Sequence, residues 1–196
     1  MEKYYIMAIE DYSLPGFCSG SNKVIISREN LDKFIKNLPD DILQTDIAEA
    51  YNEFINGNTK AEYTVAYSKQ RFLKPCKIVN SFKAEGTSFW YDHINIYGYK
   101  YRIISDDYSF EYITIKENGK EKNYLKPCFT NLRFETEDNK KQKMLNNPEN
   151  FWGFPGLYIK EDDKIQSLVY FPVNLNEDTL APCDFSEIFN AVFGDG

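Results

Sequence analysis

Between Phe89 and Phe134 the chain alternates rings and branched apolar residues with polar ones, in long runs broken by turn-forming pairs. This period of two restricts the fold more than any other feature, because it describes strands with one face buried. Tyr97, Tyr99, Tyr101 and Ile103 fall on one such face. A two-residue turn at Asp106-Asp107 sets Ile103 opposite Phe110, Tyr101 opposite Tyr112 and Arg102 opposite Glu111. The last is an opposite-charge pair of the kind that contributes about 0.2–1 kcal/mol to a sheet. Asn118-Gly119 is a stronger turn signal, since both residues tolerate positive φ; it sets Lys116 opposite Glu121 and Glu117 opposite Lys120. Three consecutive antiparallel strands are the expected result.

A second pattern runs through the same region. Leu-x-Pro-Cys, with Phe six residues after the cysteine, occurs at Leu73 to Cys76, Leu125 to Cys128 and Leu180 to Cys183, with Phe82, Phe134 and Phe189 following. Successive copies are offset by 52 and 55 residues. Two readings stand: diverged β units, which put the three cysteines in equivalent buried surroundings, or a coincidence of core residues. Either concerns packing rather than chemistry.

Around this centre the pattern changes. Tyr4 to Ile9 and Lys23 to Ser27 read as strands. Ser27 then caps a helix from Arg28 to Asn37, with Leu31, Phe34 and Ile35 on one face. After Pro39 a longer helix starts at Asp40 or Asp41 and runs to Ile55, with Gly57 beyond its end and Asp46, Glu49 and Glu53 on its outer side. Strands at Glu62 to Tyr67 and Lys77 to Phe82 flank a basic connection holding Lys69, Arg71 and Lys74. Glu135 to Asn146 reads as a short polar helix and Phe151 to Gly156 as an aromatic loop. Phe185, Ile188, Phe189 and Val192 line a closing helix from Asp184 to Phe193. The expected class is therefore α+β: an antiparallel meander with N-terminal helices and a C-terminal helix. A single domain, 1–196, is expected, with a strand and helix part (1–60), a central aromatic sheet (61–135), and a loop, hairpin and helix (136–196).

Chemistry is sparse. The four cysteines lie more than 50 residues apart, which suits reduced, mostly buried thiols rather than a zinc site, whose ligands come in close pairs. Cys18 lies in a glycine-containing loop, but the thiol-phosphatase pattern wants arginine six residues on, where Val24 stands. His93 is the sole histidine, so any triad must be built around it. Asp106-Asp107 and Asp162-Asp163 are read as turn residues ahead of metal ligands. No metal or cofactor is expected.

The net charge of −7 opposes a general nucleic-acid binder and favours a basic partner. The charge is uneven: residues 1–60 and 136–196 are net acidic, while 61–135 are net basic. With Glu2 and Glu10 near the start and no long apolar run, a cytoplasmic protein without membrane contact is expected. In size, charge and lack of catalytic groups the chain resembles small acidic immunity proteins and phage-encoded anti-defence proteins, anti-CRISPR types among them. Its composition, rich in Asn, Lys, Ile and Tyr, is similar to that of AT-rich bacteria or their phages. The resemblance implies a non-enzymatic inhibitor of a nuclease or other nucleic-acid-handling effector, a protein or ribonucleoprotein with a basic surface. Asp46, Glu49, Glu53, Trp152 and Phe154 would supply the contacts. The alternative is RNA binding through Lys100, Arg102 and nearby rings. A small-molecule enzyme using Cys18 or His93 is the third reading.

Overall fold

The computed structural model describes residues 3–11, 21–36, 49–50, 52–53, 56–58, 62–65, 68–96, 99–135 and 158–173. The elements among them, in chain order, are β1 (Tyr4–Asp11), β2 (Ser21–Ser27), α1 (Arg28–Lys36), β3 (Glu62–Val65), β4 (Ser68–Cys76), β5 (Ile78–Ile96), β6 (Tyr99–Glu117), β7 (Lys120–Thr130), β8 (Arg133–Glu135), β9 (Tyr158–Glu161), β10 (Lys164–Ser167) and β11 (Val169–Val173). The α+β expectation is overturned: among the described residues the architecture is mostly antiparallel sheet, curled into a half-barrel, with the short helix α1 and a helical stretch at 49–53 as its helical parts.

Part of the error is local. The basic stretch with Lys69, Arg71 and Lys74 is strand β4 and not a connection; these residues fall opposite Glu10, Ala8 and Ile6 of β1, with a bulge between Ile6 and Met7. On its other side β4 pairs with β3. Of the second expected helix, Glu49, Ala50, Asn52 and Glu53 have helical backbone, and the other residues of 40–55 lie outside the described residues. The helices placed at 136–146 and 184–193, and the aromatic loop 151–156, also lie outside the described residues.

The central hairpin is displaced. Asp106 and Asp107 sit within continuous β6, and the chain reverses instead between Ile96 and Tyr99, which pair with each other. Tyr101 therefore faces Ile94, Ile103 faces Tyr91 and Phe134, and Arg102 faces Glu135 rather than Glu111. Asn118 and Gly119 form the next turn, at φ 52° and 76°, and bring Lys116 to Glu121 and Glu117 to Lys120 as expected. Asp162-Asp163 is the two-residue turn between β9 and β10, with Asp162 at φ 54°.

Strand β11 joins the molecule. Its first half pairs with β2 (Val169 to Ile26, Tyr170 to Ile25), its second with β7 (Phe171 to Leu125, Val173 to Asn123). The rest of β7 on that side pairs with β10, from Cys128 to Thr130. Pro127 lies where the partner changes, so its missing N–H falls beside an interrupted ladder.

Burial explains the curl. On one face of β6 the order is Glu111, Ile113, Ile115, Glu117, and the two isoleucines pack with Ile6, Ile25, Tyr124 and Tyr170. Residues of β1, β2 and β11 thus meet residues of β6 and β7 across a shared core, and burying each such side chain is worth about 1.5–3 kcal/mol. The alternate residues serve a second apolar layer: Phe110, Tyr112, Leu125 and Phe129 are buried on the other side of the β6–β7 ladder. Helix α1 buries Leu31 and Phe34; Ser27 caps it, accepting the Asn30 N–H at 3.2 Å.

The two described copies of Leu-x-Pro-Cys do not put their cysteines in equivalent surroundings. Cys76 ends β4 opposite Tyr4, after an exposed Pro75; Cys128 lies inside β7 opposite Ser109, after a buried Pro127. Both thiols are half-buried and outside any disulfide, not buried in like surroundings, and Cys183 lies outside the described residues.

Candidate functional site

The described acidic residues of the expected contact set are placed at a helix end. Ala50 is buried, while Glu49, Asn52 and Glu53 are exposed beside it. The backbone closes with Asn56 N–H donating to Asn52 O at 3.0 Å and Asn58 N–H to Glu53 O at 2.9 Å, around Gly57. The Asn58 side-chain amide donates to a Glu53 carboxylate oxygen at 3.0 Å. Glu49, Asn52, Glu53, Asn56 and Asn58 together line an open depression of about 440 Å³. The described side chains that line it are carboxylates and amides, which suit cationic or hydrogen-bonding partners. Asp46, Trp152 and Phe154, the other members of the set, lie outside the described residues.

A second surface lies on the β5–β6 arm. Trp90 is 59% exposed, and the Arg102 guanidinium stands 5.4 Å from its ring centroid. Sequence reasoning missed this pair because it set the hairpin at Asp106-Asp107 and not between Ile96 and Tyr99. Lys100, the other residue of the RNA reading, is on β6 opposite Asn95.

The ionised groups nearer the core are committed internally. The Glu117 carboxylate is buried and lies 3.3 Å from Lys23 and 3.4 Å from Lys122. Burial alone would raise its pKa, but the hydrogen bond and charge of Lys23, joined by Lys122, hold it below the usual carboxylate range. Glu111 is likewise opposed by burial and held low, by Lys126 at 3.1 Å and the Tyr170 hydroxyl at 3.0 Å. Lys126 also stands 5.0 Å from the Tyr170 ring centroid. Asp106 accepts from Asn131 at 2.8 Å and Arg133 at 3.0 Å, and these hydrogen bonds lower its pKa. It fastens the β7–β8 corner onto β6. This is the physical role of the first aspartate pair.

Burial pushes the Cys128 thiol up, against the pull of Lys164, Lys126 and Lys83, which disfavours a thiolate. His93 sits on β5 in the register shift between Tyr91 and Ile94, and Cys18 lies outside the described residues. Among the described residues no group of three His, Cys, Asp or Glu side chains gathers to hold a metal ion, and no helix is long and apolar enough to cross a membrane. No protein-family model, curated protein or solved structure matches this chain.

Proposed function

We propose that this chain is a non-enzymatic, cytoplasmic binding protein that inhibits a nuclease or another nucleic-acid-handling effector by presenting carboxylates to its basic groove. The observation that carries the reading is the exposed Glu49–Glu53 pair, one helical turn apart, beside a depression that Asn52, Asn56 and Asn58 also line. Exposed carboxylates can compete with phosphates for cationic groups, and a net charge of −7 steers the encounter. Trp152 and Phe154 complete the proposed contact on sequence grounds, as apolar anchors that slow dissociation.

The test is association and inhibition against a panel of purified basic nucleases at low and physiological salt. Glu49→Lys/Glu53→Lys should slow association about tenfold with an unchanged circular dichroism spectrum. Absence of binding and inhibition across the panel, together with small-molecule turnover abolished by Cys18→Ser or His93→Ala, would overturn the reading in favour of an enzyme.

The exposed Trp90 under Arg102 favours one competitor, RNA held by stacking and phosphate contacts on the arm. That reading requires salt-dependent RNA binding that weakens in Lys100→Glu/Arg102→Glu. Unchanged RNA affinity in the double variant removes the arm as an RNA site.

A further inference from the structure

Strand β5 is 19 residues long, and its one neighbour among the described strands is β6. Its regular part is bounded on one side by the register shift between Ile78 and Asn80 and on the other by Ser88, whose φ is 55°. Asn80 to Thr87 is thus a stretch of about 27 Å whose outer edge pairs with no described strand, the Ser81 N–H being met by the Asn80 side-chain oxygen at 2.9 Å. Side chains alternate along it: Ser81, Lys83, Glu85 and Thr87 are exposed, and Phe82, Ala84 and Gly86 are half-buried.

We propose that this edge pairs antiparallel with the same edge of a second copy of the chain, about a two-fold axis at Ala84. The argument is the self-complementarity of the stretch. With Ala84 opposite itself, Lys83 faces the partner's Glu85 and Glu85 faces the partner's Lys83. Lys83 and Glu85 already pair within one chain at 2.7 Å, with both side chains half or more exposed, so the two ion pairs exchange partners as the edges meet. On the other face, Phe82 comes opposite the partner's Gly86. A Cβ at Gly86 would collide with the Tyr108 ring, so that ring lies across the glycine and offers Phe82 of the other copy an aromatic contact.

The pairing is also selective in register. A two-fold axis normal to the sheet requires facing residues to share a face, which excludes one-residue slips. Moving the axis to Lys83 sets lysine against lysine, and moving it to Glu85 sets glutamate against glutamate; like charges directly opposite are destabilising. The interface is isologous and closes at two copies, joining the two sheets into one continuous sheet.

Sedimentation velocity over a concentration series tests this, with charge variants as the probe. Wild-type protein should form a concentration-dependent dimer. Lys83→Glu and Glu85→Lys should each shift its dissociation constant at least tenfold toward monomer. Mixing the two variants in equal amounts should restore a dimer, since each then supplies the charge the other lacks, and the double swap Lys83→Glu/Glu85→Lys should dimerise alone. A wild-type protein monomeric at all concentrations overturns the proposal. So do single variants that dimerise as wild type does, or a mixture that stays monomeric while both variants retain the native circular dichroism spectrum.

Discussion

Two buried polar groups on β6 have opposite consequences for stability. Glu117 is held as a carboxylate by Lys23 and Lys122, so its folded pKa lies below the unfolded value of about 4.3. A depressed carboxylate contributes stability that is present above the unfolded pKa and is lost as pH falls through the folded one. Glu117→Gln should therefore cost about 1–2 kcal/mol at neutral pH, and the gap from wild type should close below the folded pKa. Urea titrations at pH 7 and pH 3 check this; a gap of equal size at both values contradicts it. Tyr112 is 1% exposed, stacks on Phe82 at 4.4 Å, and its hydroxyl has no hydrogen-bond partner among the described residues. Burial drives its pKa well above the ordinary tyrosine value, so it stays neutral. Tyr112→Phe removes an unsatisfied group and should leave stability unchanged or raise it by about 1 kcal/mol, read by the same titration.

Turns separate what the sequence made legible from what it hid. Asn118-Gly119 could be read because its requirement is local: both residues take positive φ, and few others do so readily. Gly119→Ala should cost about 1–2 kcal/mol from backbone strain alone, since an added Cβ there meets nothing within 4 Å. Thermal melts of the variant against wild type measure it. Asp106 could not be read, because what holds it in a strand is Asn131 and Arg133, residues far along the chain. Strand β4 was hidden for the same reason: its partners β1 and β3 are a tertiary fact, and a lysine and arginine-bearing stretch has no local strand signal strong enough to declare them. Helix α1 was legible from its Ser27 cap and the spacing of Leu31 and Phe34. Of the candidate site, the exposed Glu49 and Glu53 followed from helical period, whereas the Trp90–Arg102 contact needed the correct hairpin.

For the whole molecule, β11 decides whether the two parts of the sheet behave as one. Because it pairs with β2 through Val169 and Tyr170 and with β7 through Phe171 to Val173, losing it breaks the hydrogen-bonded ladder between the β1–β4 group and the β5–β10 group and leaves their shared core to hold them. Phe171 is 4% exposed, and Phe171→Ala should cost about 3–5 kcal/mol. Far-UV circular dichroism and tryptophan fluorescence should lose their native signals at one common, lowered denaturant midpoint. Separate midpoints in the wild type would show that the groups unfold independently.

The position of β11 in the chain has a further consequence during synthesis. A chain made from its amino end can close the β1–β2 and β5–β6 hairpins early, from segments that are near neighbours in sequence. The open side of β2 then waits for Val169 and Tyr170, about 140 residues further along the chain. Until the ribosome has delivered them, a nascent chain carries an unclosed seam, and a slow stretch of translation before Val169 lengthens its exposure to aggregation and to chaperones.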